Sequence, residues 1–137
     1  GSWTPTYTGS TTNPTVTYDS ITDGRYTKIG NLVVATAILR TDSVSGGSGA
    51  LRVSGLPFAV VSTNNYNPGT ASIAEIQSFG STPPLTGRPP NGSTQVAFHY
   101  RTAIGATSES EVLVSALADG GNKNTLAFTV TYYTTDS

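Results

Sequence analysis

The stretch that most constrains this chain is Gly24–Thr41, GRYTKIGNLVVATAILRT. Arg25–Ile29 reads as a short strand, and Gly30-Asn31 as a two-residue turn. Leu32–Leu39 is the longest apolar run in the sequence. Glycine at the first central position suits a type II′ hairpin, because it accepts positive φ without strain. In a strand, Leu32, Val34, Thr36 and Ile38 share one face, and Val33, Ala35, Ala37 and Leu39 share the other. Neither face carries a charge before Arg40. A strand that is apolar on both faces needs something packed on both. One face can cover the domain's own core; the other must meet a second layer or a second copy of the chain.

The rest of the chain offers strands and turns. Trp3–Gly9 reads as an extended arm, and Thr11–Pro14 as a turn. Thr15–Asp19 alternates, with Val16 and Tyr18 on one face. Asp42–Gly49 reads as a flexible Gly/Ser loop. Ala50–Val53 is a short strand running into Ser54-Gly-Leu-Pro-Phe58, and Phe58–Val61 is a further candidate strand. Ala71–Phe79 follows the Ser62–Gly69 loop. The long Gly80–Gly92 loop is stiffened by two proline pairs. Thr94–Arg101 alternates with Val96, Phe98 and Tyr100 inward and Gln95, His99 and Arg101 outward. Glu111–Leu117 reads as a strand rather than a helix because of its Val-Leu-Val centre. Asp119–Asn124 is a turn, and Thr125–Tyr133 is the last strand. About eight strands with no convincing helix describe an all-β chain, an antiparallel β-sandwich or jelly roll. Residues 3–137 form one domain; Gly1-Ser2 reads as a cloning scar.

The composition excludes several functions. Charged residues make up 11% of the chain and the net charge is −1, so no basic field exists to hold nucleic acid. With no cysteine there is no disulfide and no thiolate chemistry. No apolar run approaches the roughly 18 residues of a membrane span, so membrane insertion is not expected.

Candidate chemistry is sparse. His99 is the sole histidine and has no G-x-S-x-G nucleophile motif to serve; it reads as an outward strand residue. Glu75, Glu109, Glu111 and Asp119 are available as carboxylates, and glycosidases set two of these roughly 5 to 10 Å apart. Solvated edge charges account for them more simply. Asp119–Asn124 has oxygens for calcium, but Lys123 opposes a cation and the EF-hand pattern is absent. Neither an enzyme nor a metal or cofactor site is expected. The better lead is Tyr66 among Asn64, Asn65 and Asn67, together with Arg88 in the proline-rich loop. A flat ring beside amides suits a sugar, and tyrosine orders at low entropic cost. The competing reading is a loop tyrosine folded back over the core edge.

Trp3-Thr-Pro, Gly24-Arg-Tyr-Thr-Lys-Ile-Gly-Asn31, the long apolar strand and Ser54-Gly-Leu-Pro-Phe58, in that order, resemble the C-terminal domains of tailed-bacteriophage tail fibres and tailspikes. The resemblance spans Trp3 to Phe58; the second half matches in style only. It implies a β-sandwich at the fibre tip that forms a homotrimer, binds host-surface glycan or polysaccharide, or does both, on the virion tail outside the cell. In such a trimer, Val33, Ala35, Ala37 and Leu39 are the expected subunit contact, and Leu56-Pro57-Phe58 a plug at a sheet corner. The resemblance brings no catalytic residues. The alternatives are a purely structural trimerisation or capping domain without ligand, a cellular carbohydrate-binding module, or a small glycan-degrading enzyme.

Overall fold

A computed structural model describes residues 1–62 and 69–135. Among these the chain forms eleven antiparallel strands: β1 (Ser2–Trp3), β2 (Thr6–Gly9), β3 (Thr15–Tyr18), β4 (Asp23–Ile29), β5 (Leu32–Ser45), β6 (Leu51–Ser54), β7 (Gly69–Gln77), β8 (Thr86–Arg88), β9 (Gln95–Tyr100), β10 (Ser110–Glu111) and β11 (Lys123–Tyr133). They make one continuous sheet in the order β1-β4-β5-β11-β7-β8-β9-β6-β2, with β3 added to β5 and β10 to β9. None of the described helical segments is long and apolar enough to cross a membrane.

The sheet curls back on itself. β1 and β2 lie at opposite ends of the strand order, yet only Thr4 and Pro5 separate them. Such a link spans at most about 11 Å, so the two ends of the sheet must approach each other. The concave face becomes the core. Phe98 on β9 meets Phe128 on β11 edge to face, with ring centroids 5.4 Å apart. Tyr7 on β2 reaches across to donate its hydroxyl to the Asn124 carbonyl on β11, at 2.7 Å.

The Gly24–Thr41 hairpin forms as expected. Ile29 pairs with Leu32, Gly30 sits at φ 58°, and Asn31 is not among the residues at positive φ, as a type II′ turn requires. The faces of β5, however, are the reverse of the trimer expectation. Val33, Ala35, Ala37 and Leu39 are 0–6% exposed within the single chain. They belong to its own core and cannot be a subunit contact. The reason lies in one cross-strand row. Trp3, Gly24, Ala37 and Phe128 are registered side by side. The indole occupies the room that Gly24 leaves: a Cβ there would lie 2.6 Å from the Trp3 carbonyl oxygen and 2.8 Å from Nε1. Trp3 Nε1 donates to the carbonyls of Arg25 and Thr36, at 3.2 and 3.1 Å. The small residues of β5 therefore accommodate a buried tryptophan.

The opposite face of β5 points outward. With its neighbours it presents the rows Asp23–Ile38–Ala127–Glu75, Arg25–Thr36–Thr129–Ser72, Thr27–Val34–Thr131–Thr70 and Ile29–Leu32–Tyr133. Ile29, Val34 and Tyr133 are exposed there. Two open depressions of about 230 and 140 Å³ lie between β4 and β5 on this face, around Arg25 and Thr36.

Other expectations change locally. Asp42–Ser45 is not a free loop but the end of β5, because Val16 and Val44 pair across β3 and β5. Phe58–Val61 forms no strand; Val60 exchanges single backbone bonds with the 92–93 turn instead. Phe58 packs edge to face on Tyr26 at 5.4 Å with Lys28 Nζ over its ring. Strand Glu111–Leu117 shrinks to β10 and a 3₁₀ turn at Val114–Ala116. Ser2, set aside as a scar residue, pairs with Arg25 in β1, and the Gly1 ammonium donates to the Tyr26 carbonyl.

Candidate functional site

β9 is the strand about which the remaining chemistry gathers. On one side it pairs with β8, setting Thr86 opposite His99 and Arg88 opposite Ala97. It also pairs with β10, setting Ser110 opposite Tyr100 and Glu111 opposite His99. On its other side β6 sets Arg52 opposite Ala97. Alternation alone would leave His99 outward and wet. It is only 6% exposed, because β10 and the long side chains of Arg52 and Arg88 surround it. The outward placement is thus corrected: both faces of β9 are covered.

The electrostatics follow from that burial. Glu109 accepts from Arg88 Nη1 at 2.5 Å and from Thr86 Oγ1 at 3.4 Å. The Arg88 hydrogen bond holds the Glu109 carboxyl below its ordinary range. His99 Nδ1 is 3.9 Å from the same carboxylate and has no hydrogen-bond partner. Burial, followed by the Arg88 charge, pushes the imidazole below its usual value. At neutral pH the group is therefore a neutral imidazole beside a closed ion pair. Glu109 stays deprotonated, which suits it to accept hydrogen bonds and not to protonate a leaving group. Arg52 and Glu111 make a second pair, at 3.3 Å.

Where β9 ends, the chain turns, and a cavity of about 270 Å³ opens, lined by Leu85, Thr86, Tyr100, Arg101 and Glu109. A shallower space of about 160 Å³ adjoins it, sharing Leu85, Tyr100 and Arg101 and adding Thr82, Pro83 and Thr102. The Leu85 amide donates to the His99 carbonyl at 2.9 Å, fixing the proline-rich segment against β9. Thr82 sits at φ 30°, a conformation that a β-branched residue adopts only when its surroundings impose it. The result is a half-buried tyrosine and an exposed leucine as apolar walls, threonine hydroxyls, one paired carboxylate and one open guanidinium. These are the groups that border the cavity, and its carboxylate, Glu109, is held deprotonated by Arg88.

Of the site residues expected from the sequence, Tyr66, Asn64, Asn65 and Asn67 lie outside the described residues. Arg88 is described, half exposed, and committed to Glu109. It buttresses the cavity through that carboxylate. Tyr100 and Arg101 were not among the expected site residues. An aromatic–basic pair closing a strand beside a proline-rich loop is the signal they carry. Their opposite placement in the alternation concealed that both reach one cavity once the strand ends.

No protein-family model matches the chain, and no curated protein does. Among solved structures, the crystal structure of the Dettilon tailspike protein (gp208) is similar, with a TM-score of 0.74 and 16% sequence identity. The likeness covers 97% of this chain and 23% of that one. At this identity it is the fold that is shared: an all-β antiparallel domain that accounts for less than a quarter of the tailspike's length.

Proposed function

We propose that this chain is a domain of a phage tailspike or tail fibre, C-terminal in its parent protein, that forms a homotrimer on the virion tail and binds host-surface carbohydrate without cleaving it. The observation that carries this reading is the fold likeness to a tailspike over nearly the whole chain, which extends through the second half, where the sequence resemblance is only one of style. Carbohydrate binding draws on the cavity walled by Tyr100 and Leu85, since a sugar needs an apolar face to rest on and polar groups at its edge. For the trimer, the inner face of β5 is already used. The outer face of β4-β5-β11 takes its place, with Ile29, Leu32, Val34 and Tyr133 among threonines and few charges.

Light scattering of the purified chain at micromolar concentration tests the assembly, and a glycan array tests the ligand. A trimer that binds no glycan leaves the trimerisation or capping role. A monomer refutes the assembly. Reducing-sugar release from host polysaccharide would restore the enzyme reading. Val34→Glu, on the exposed outer face, is expected to convert trimer to monomer with an unchanged far-ultraviolet circular dichroism spectrum.

A further inference from the structure

Arg101 stands apart from the other arginines. Arg25 pairs with Asp23, Arg40 with Asp19, Arg52 with Glu111 and Arg88 with Glu109, at 2.9, 2.9, 3.3 and 2.5 Å. The fifth, Arg101, has no carboxylate partner among the described residues, although the chain carries eight acidic residues to seven basic ones. It borders both the 270 Å³ cavity and the space beside it. The single acidic group lining that cavity, Glu109, is closed by Arg88, so it adds little repulsion toward an incoming anion.

We propose that this cavity takes an acidic sugar, its ring against Tyr100 and its carboxylate on the Arg101 guanidinium. The proposal rests on the carbohydrate reading above and names the class of saccharide. The geometry favours it in three ways. The guanidinium presents a planar fork of donors that matches a carboxylate two bonds at a time. Tyr100 is the last residue of β9 and is packed against the core, so its ring is a fixed wall beside that fork. Thr82, Thr86 and Thr102 supply hydroxyls around the rim, and the Glu109 oxygen that meets Thr86 at 3.4 Å keeps capacity to accept a sugar hydroxyl. Thr82 at φ 30° belongs to the same rim, and backbone strain of that kind concentrates where a loop is shaped for a ligand.

The test is an array of paired acidic and neutral oligosaccharides, probed with the intact chain and followed by titration of its hits before and after chemical reduction of their carboxylates to alcohols. Acidic glycans are expected to dominate, and reduction to abolish binding. Arg101→Gln is expected to weaken binding on the order of 10-fold or more, Arg101→Lys to weaken it less, and Lys123→Gln, elsewhere on the surface, to leave it unchanged. Circular dichroism of Arg101→Gln reports that the exposed substitution leaves the fold intact. Hits on neutral glycans that ignore both carboxylate reduction and Arg101→Gln overturn this inference and leave carbohydrate binding standing. Absence of any hit overturns carbohydrate binding and this inference with it.

Discussion

Asn124 ties four parts of the chain together, and its replacement by alanine is the most demanding check on the core. The residue is fully buried at φ 53°, at a bulge where the β11–β5 register shifts. Its Nδ2 donates to Thr41 Oγ1 at 2.8 Å and to the Ala118 carbonyl at 2.7 Å, and its Oδ1 accepts from the Ala118 amide at 2.8 Å. Its own carbonyl accepts from Tyr7, and its amide donates to Ser78. Alanine keeps the last two and loses the first three. Each buried bond contributes about 0.5–1.5 kcal/mol net, and moving an alanine into the left-handed region costs about 1–2 kcal/mol. The expected loss is about 2.5–6.5 kcal/mol, a large share of a typical domain's stability. Urea denaturation at neutral pH, followed by the fluorescence of Trp3, measures it. Asn124→Gly removes the same amide without the backbone strain and should be more stable than Asn124→Ala by about 1 kcal/mol. A cost for Asn124→Ala below about 1 kcal/mol, or an alanine variant at least as stable as the glycine one, would falsify the accounting.

Further outcomes are accessible to the same methods. Gly24→Ala drives a Cβ onto the Trp3 carbonyl and indole; a loss of about 1–3 kcal/mol and a red shift of Trp3 emission are expected, and an unshifted spectrum would contradict the packing. His99 has its folded pKa lowered from 6.5 by burial, so the unfolded state binds its proton more readily. Stability should fall as pH drops below about 6.5, and His99→Gln should flatten that slope. Glu109, Asp19 and Asp23, all lowered, first by a hydrogen bond, hold stability above the ordinary carboxylate range and lose it as pH falls through that range. An acid-unfolding curve that is flat from pH 7 to pH 5 would remove His99 from the account.

The sequence carried the long hairpin and the last strand because their signals are local: a Gly-Asn turn, an apolar run, a Thr/Tyr alternation. It carried no sign of β1, β8 or β10, which span two or three residues and are too short to alternate. Which face of β5 is interior was also illegible. Both faces are apolar, and the choice falls to Trp3, distant in sequence, whose ring occupies the room left by Gly24 in the row that also holds Ala37. His99 was misplaced for a related reason, since alternation names two faces but not what covers them. The cavity comes from β8 and the 101–109 segment closing against the end of β9, and only the fold brings those pieces together.

The two-residue link between β1 and β2 makes the outermost strands of the sheet mechanically dependent. Tension applied at residue 1 falls first on the β1–β4 ladder, which has only two registered pairs. Trp3 wedges that ladder, because its indole must leave Gly24 and release both carbonyls before the strand slides. Once it is drawn out, Thr4 and Pro5 pass the load straight to β2 at the far edge, where Tyr7 is hooked on Asn124. The two ends of the sheet therefore yield in sequence, and a pulling experiment on the N terminus should register the β1–β4 ladder and its Trp3 wedge before the Tyr7–Asn124 tie at the far edge.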